Sequence, residues 1–325
     1  MKILITGGAG FIGSHLVENL VKLNHDVIVL DNLSTGRLEN IKHLLHKIKF
    51  IKCDISSNYN FFKYFKSVDK VFHIAALADI VPSIEDPYQY FNANVKGTLN
   101  IVKACRKYKV KKLVYTASSS CYGIPEIYPT SENEKISNEY PYAFTKNIGE
   151  QIILHWSKVY NLNVTSIRLF NVYGTRSRTS GTYGAMFGVF LAQKLAKKPF
   201  TVVGNGKQKR DFTYVSDVVD ALILASKFKK NSEVFNVGSG KPVTVNYIVK
   251  LLGGKVTYIP KRPGEPPITH ANIRKVKKHL KWKPKISIEE GVNILKKNIL
   301  YWKKAKVWSP KQIKFATKSW FKYLK

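Results

Sequence analysis

Acidic side chains are scarce in this chain. Twenty-one aspartates and glutamates stand against 54 lysines and arginines in 325 residues, a formal net charge of +33. Cysteine is scarcer still. Three residues, Cys53, Cys105 and Cys121, exclude a disulfide scaffold, and their spacing fits no zinc-site pattern, so no metal is expected. No apolar run approaches the ~18 residues of a membrane span. Met1 to Gly7 enter a strand-like run directly, without the layout of a secretory signal, which predicts a cytoplasmic protein. There is no internal repeat and no low-complexity segment.

Apolar residues make up 44% of the chain and aromatics 12%, ample for a large core, so wholesale disorder is excluded. The length fits two domains, or one large α/β domain with an appended lobe. A charge of +33 suggests a polyanionic partner. Its distribution points elsewhere: residues 1–150 carry 19 basic and 14 acidic side chains, and residues 151–325 carry 35 and 7. Most of the surplus reads as solvated lysine. The segment Lys303–Lys325 holds eight lysines, no acid, and Trp308, Phe315, Trp320, Phe321 and Tyr323. Its aromatics are expected to pack on the body or on a partner copy. Docking to an anionic membrane face is the weaker expectation.

Short apolar runs alternate with helical spacing along the first half. Lys2–Thr6, Asp26–Leu30, Lys49–Lys52, Lys70–Ile74, Lys112–Thr116 and Val164–Phe170 read as strands, and Phe11–Leu23, Asn94–Tyr108 and Tyr142–Tyr160 as helices. That alternation predicts a doubly wound parallel sheet covered on both faces. After Phe170 the texture changes. Arg176–Gly184 is a polar loop, and six prolines between Lys241 and Lys285 exclude long regular elements. The expected division is a Rossmann-type domain over 1–175, rejoined by about 211–240. A smaller α+β lobe takes 176–210 and 241–305, and a basic aromatic tail takes 306–325.

Gly7, Gly10 and Gly13 stand at G-x-x-G-x-x-G spacing between a strand and a helix. Glycines there allow a tight turn and close approach of a pyrophosphate to the backbone, and the helix start favours the anion. Asp31 closes the second strand. A carboxylate there accepts from both hydroxyls of an adenosine ribose and repels a 2′-phosphate, so NAD is favoured over NADP despite Arg37.

Tyr142 and Lys146 lie four apart at the start of a predicted helix and share a face. An ammonium near a phenol favours the phenolate, which can take a proton from a sugar hydroxyl as hydride leaves the carbon. The spacing alone is weak evidence, because Tyr59/Lys63 and Tyr108/Lys112 repeat it. Position separates the third pair: it follows a strand ending in Ser118-Ser119-Ser120, at the carboxyl edge where such sheets bind ligands.

With these segments in hand, the chain resembles the extended short-chain dehydrogenase/reductase family, in particular its nucleotide-sugar epimerases and dehydratases. The resemblance rests on ITGGAGFIGSHL, VLDNLSTG, VFHIAA, NVKGTLNIVKAC, SSSCYG, YPYAFTKNIGE, RLFNVYG, GNGKQKRDFTYVSDV, FNVGSG and RPGE, and spans roughly residues 1–300. It implies that Gly7, Gly10, Phe11, Ile12 and Gly13 contact the NAD pyrophosphate. Asp31, with Asn32, would meet the adenosine ribose, Asp54 and Ile55 the adenine, and Ala75 and Ala76 the cofactor, with Asn94 behind them. Tyr142 would be base and acid, Lys146 would hold the nicotinamide ribose, and Ser118 would share the reacting proton. Ser119, Ser120, Asn171, Arg210, Arg262 and Thr269 would meet the substrate, the arginines gripping a nucleotide diphosphate.

Family dehydratases carry an Asp-Glu pair after the Ser/Thr, and decarboxylases tend to carry Glu; Ser119 and Ser120 resemble the 4-epimerase version. The reading is therefore 4-epimerisation of a nucleotide sugar, UDP-linked by resemblance, through a 4-keto intermediate. A decarboxylase, dehydratase or reductase is the enzyme alternative, and a basic scaffold for nucleic acid or membrane the non-enzyme one. Arg176 and Arg178 are placed on a surface loop, with a uronate carboxylate as their other use. The resemblance also implies a homodimer, through the helices that contain Asn94–Tyr108 and Tyr142–Tyr160.

Overall fold

Six strands of the first half are β1 (Lys2–Thr6), β2 (Asp26–Asp31), β3 (Ile48–Lys52), β4 (Lys70–His73), β5 (Lys112–Ser118) and β6 (Val164–Leu169). The computed structural model describes residues 1–57, 59–178 and 186–324. Most of these strands are buried on both faces. On β1, Ile3 and Ile5 enter one core with Leu16, Val17 and Leu20 of the helix Phe11–Lys22, while Leu4 faces another with Ile101 and Ile153. This is the period-2 alternation of a strand with both sides covered.

The described residues build one seven-stranded sheet in the order Glu233–Val237, β6, β5, β4, β1, β2, β3, every pairing parallel. Strand order reverses direction between β1 and β4. The crevice at their carboxyl ends is the switch point at which such sheets bind ligands. A third core, with Phe190, Phe200, Ile248, Val292 and Trp302, belongs to the smaller lobe. There Phe200–Val203 pairs in parallel with Val256–Ile259. No helix among the described residues is long and apolar enough to cross a membrane.

One expectation changes. The helix expected over Asn94–Tyr108 opens with a π-helical turn, Phe91–Lys96, and becomes regular at Gly97–Lys107. Asn94 sits in that turn, where its amide both accepts from Leu77 N (2.9 Å) and donates to Leu77 O (3.0 Å). The terminal segment folds onto the body, in line with the expected packing of its aromatics. Ser309 opens the helix Pro310–Ala316 with a capping box, Lys318–Tyr323 follows, and Trp308, Ile313 and Trp320 are buried. Phe315, Phe321 and Tyr323 stay exposed. Of the loop expected over Arg176–Gly184, residues 179–184 lie outside the described residues.

The helix Pro141–Tyr160 begins with Pro141 in its first turn and ends at Asn161, whose φ of 52° stops it. A buried ion pair fixes it to the sheet. Glu150 accepts from Arg168 Nε (3.0 Å) and Ser166 Oγ (2.6 Å) of β6. Arg168 Nη1 continues to Tyr122 Oη (2.8 Å) and Glu132 O (3.1 Å), and Tyr122 donates to Asn236 Oδ1 (2.8 Å). Removing one partner of such a pair strands a buried charge. Glu150→Gln is expected to lower unfolding stability by about 3–5 kcal/mol in urea titrations. Lys22→Ala, which breaks the exposed Lys22–Glu18 pair, is expected to cost less than about 1 kcal/mol.

Candidate active site

A cavity of about 680 Å³ runs from the glycine turn, past the ends of β4 and β5, into the smaller lobe. Its first wall is a cradle that side chains would fill. Gly7 has φ +72°, and a Cβ on it would lie 2.7 Å from Ala75 N. A Cβ on Gly13 would lie 2.1 Å from Gly7 O. Gly10 starts the helix Phe11–Lys22 without a side-chain cap. Gly7, Gly10, Phe11, Ile12 and Gly13 all line the cavity, so the unpaired N–H groups of the first turn are available to an anion.

At the end of β2, Asp31 accepts from Ala9 N (2.9 Å) and Leu33 N (2.8 Å). Burial raises its pKa and those two bonds oppose the rise. Asn32 donates to Asp54 Oδ2 (3.2 Å), and Ile55 is buried beside them. Arg37 lies over the Tyr301 ring, 5.3 Å from its centroid. Ala75 and Ala76 leave room on the opposite wall. Asn94 stands behind that wall, tying Leu77 to Thr145 Oγ1 (3.0 Å) of the helix Pro141–Tyr160. Small walls, an uncapped helix start and a terminal carboxylate fit a dinucleotide.

Ser118, Ser119, Ser120, Tyr142 and Lys146 meet at the carboxyl edge. Burial pushes the Tyr142 phenol pKa up, a hydrogen bond with Ser118 lowers it, and Asp79 raises it. Ser118 Oγ also donates to Ser120 Oγ (3.0 Å). Lys146 Nζ lies over the Tyr115 ring, 4.2 Å from its centroid. Burial brings its pKa down to about 7, against a partial upward pull from Glu150 one turn later. Neither other Tyr/Lys pair lines the cavity. Lys112 is buried and donates to Asn163 Oδ1, Thr165 Oγ1 and Phe228 O.

Across the cavity, Arg210 and Arg262 line the lobe side. Arg210 is buried and pairs with Glu265 Oε1 at 3.0 Å. It does not pair with its neighbour Asp211, which accepts from the backbone N–H groups of Ser239, Gly240 and Ala271. Asn171 lines the cavity, but Thr269 does not. The Thr269 hydroxyl donates to Asn171 Oδ1 (2.6 Å) and accepts from Asp211 N (3.0 Å). That double engagement ties Thr269 to Asn171, which lines the cavity. Arg176 pairs with Glu18, and Arg178 with Asp79.

Among the wall residues that sequence reasoning did not assign to the site are Asp79, Glu265 and Trp320. Glu265 stands inside the quoted RPGE segment, so that signal existed. Asp79 and Trp320 carry no local signal.

The cradle, the carboxyl-edge Ser-Tyr-Lys group and the facing arginines define a dinucleotide-binding α/β enzyme that acts on an anionic substrate. The NAD dependent epimerase/dehydratase family pattern matches residues 3–238, and the chain belongs to that family. Its cofactor is NAD. The chain is 34% identical to the UDP-glucose 4-epimerase of Thermotoga maritima, solved with UDP-glucose, with a TM-score of 0.87 over 94% of this chain and 99% of that one. It is 31% identical to the UDP-glucuronic acid 4-epimerase of Bacillus cereus, solved with UDP-glucuronic acid and NAD, with a TM-score of 0.86 over 92% and 99%. It is also 32% identical to UDP-glucuronic acid decarboxylase 1 of Arabidopsis thaliana, over 90% of this chain and 68% of that one. The relatives thus include UDP-sugar 4-epimerases and decarboxylases.

The lysine environment gives a direct expectation. In protein carrying ¹³C-lysine, one ε-carbon should titrate near pH 7, charged below and neutral above, and vanish in Lys146→Met. A second, from Lys112, should titrate near 8.

Proposed function

We propose that this enzyme epimerises a UDP-sugar at C4 through a transient 4-keto sugar. The observation that carries this reading is the meeting of Ser118, Tyr142 and Lys146 at the sheet's carboxyl edge, between the glycine cradle and the arginine wall, with serines at 119 and 120. Bound NAD supplies the hydride acceptor and donor. Tyr142 takes the proton of the 4-hydroxyl and later returns it to the same oxygen, with Ser118 sharing the hydrogen bond. Lys146, in its charged form, donates to the cofactor ribose. Arg210 and Arg262 hold the diphosphate while the sugar turns, so the firm anchor is the nucleotide end.

Elimination or decarboxylation asks for a further acid or base beside the sugar. Ser119 and Ser120 have no such group, and the nearby carboxylates of Asp79 and Glu265 are engaged by Arg178 and Arg210. The same pairing bears on the sugar. Arg176 and Arg178 each already hold a carboxylate, and residues 179–185 contain no charged residue. A neutral hexose therefore suits the pocket better than a uronate. We further propose a cytoplasmic homodimer through the helices Gly97–Lys107 and Pro141–Tyr160. Exposed Phe315, Phe321 and Tyr323 with their lysines allow only weak contact with an anionic membrane face.

Incubation with a panel of UDP-sugars, read by NMR, should show interconversion at C4 of a neutral UDP-hexose. Tyr142→Phe should reduce it by about 10²–10⁴-fold while leaving the bound NAD content unchanged. Carbon dioxide release from UDP-glucuronate without any C4 epimer would favour the decarboxylase reading instead.

A further inference from the structure

Trp320 has a place in the site that its position in the chain does not announce. Its side chain is 4% exposed although the short helix Lys318–Tyr323 lies on the surface. The indole N–H donates to Pro263 O (2.8 Å), which fixes the ring against the segment that carries Arg262. The Arg262 guanidinium lies over the ring, 5.0 Å from its centroid. Both side chains line the cavity. One residue earlier, Ser319 Oγ donates to Glu85 Oε1 (2.9 Å) on the helix Ile80–Glu85, which follows β4. Leu324 Cβ lies 3.9 Å from where a Cβ on Gly264 would stand. The segment thus bridges the dinucleotide side of the cavity and the Arg262–Glu265 loop of the lobe.

We propose that Trp320 is a positioning residue for substrate binding, holding the Arg262 guanidinium flat so that its donors face a nucleoside diphosphate. This rests on the reading above that the cavity takes a nucleotide sugar. An arginine side chain free to rotate loses much of its orientation before it meets a phosphate, and ordering it on binding lowers affinity. Held over an indole, the guanidinium is kept from rotating and can direct two parallel hydrogen bonds to a phosphate. The same contact links the last helix to the grip on the diphosphate, while Phe315, exposed on the preceding helix, takes no part.

The test is calorimetric titration of NAD-loaded enzyme with UDP, and with UMP as the one-phosphate control. Trp320→Ala should weaken UDP by about 10-fold, and UMP by less than about 3-fold. Trp320→Phe, which keeps a ring face, should stay within about 2-fold of wild type, as should Phe315→Ala. In turnover, Trp320→Ala should raise KM for the UDP-sugar with little change in kcat. The decisive comparison is the cycle with Arg262→Ala: the double variant should bind UDP no more weakly than Arg262→Ala alone. Unchanged UDP affinity in Trp320→Ala, or losses that multiply in the double variant, would overturn the proposal. If Trp320→Ala does not fold, Trp320→Leu, which fills the space without a ring face, decides in the same way. UDP binding needs no turnover. An inactive wild type that still showed the coupling would refute the epimerase reading and leave Trp320 in its role.

Discussion

The buried pair of Glu150 and Arg168 is the constraint on which the site's geometry depends. Tyr142 and Lys146 sit on the first two turns of a 20-residue helix, and Glu150 is the next residue of that helix anchored to the sheet. Arg168 belongs to β6, next to β5, whose last residue is Ser118. Its second nitrogen reaches Tyr122, just beyond the three serines, and Tyr122 reaches Asn236 on the outermost strand. One guanidinium therefore sets the catalytic helix, the serine turn and the strand leading back from the lobe relative to one another. On the proposed mechanism a reacting oxygen must meet both Tyr142 and Ser118 within hydrogen-bond reach, a tolerance that a rigid support provides. The same carboxylate raises the pKa of Lys146 against its burial, so the structural anchor also tunes the site.

Much of the fold is legible in the chain because its signals are local. Apolar runs covered on both faces, the glycine spacing and Asp31 at a strand end each depend on a few neighbouring residues. The glycine cradle is a clear case: the spacing that suggests it is the spacing at which a Cβ on Gly13 would collide with Gly7 O. What escapes the sequence depends on contacts far along the chain. Thr269 suggests a wall of the sugar pocket, yet its hydroxyl is committed to Asn171 and Asp211. Lys146 shares a helix face with Tyr142 by its spacing, but only the fold shows its ammonium over the Tyr115 ring. Asn94 in the π-helical turn bonds to Leu77, and Trp320 at the cavity wall donates to Pro263 O, contacts that no local pattern announces.

The charge imbalance takes on a different meaning in the folded chain. With acids so few, those near the cavity are committed. Glu18 serves Lys22 and Arg176, Asp79 serves Arg178, and Glu265 serves Arg210. This sets which cations near the cavity are already neutralised. The surplus of lysine in the second half lies mainly on exposed positions such as Lys230 and Lys285, where screening makes each charge worth little.

The central claim is that the hydrogen on C4 leaves the sugar and returns to the same carbon from the other face, while only the hydroxyl proton passes through Tyr142. The most direct measurement uses the UDP-hexose that the enzyme converts, labelled with deuterium at C4, in ordinary water. The account predicts that the product epimer keeps its deuterium at C4 through many turnovers. Loss of that deuterium to solvent at the rate of epimerisation would contradict it.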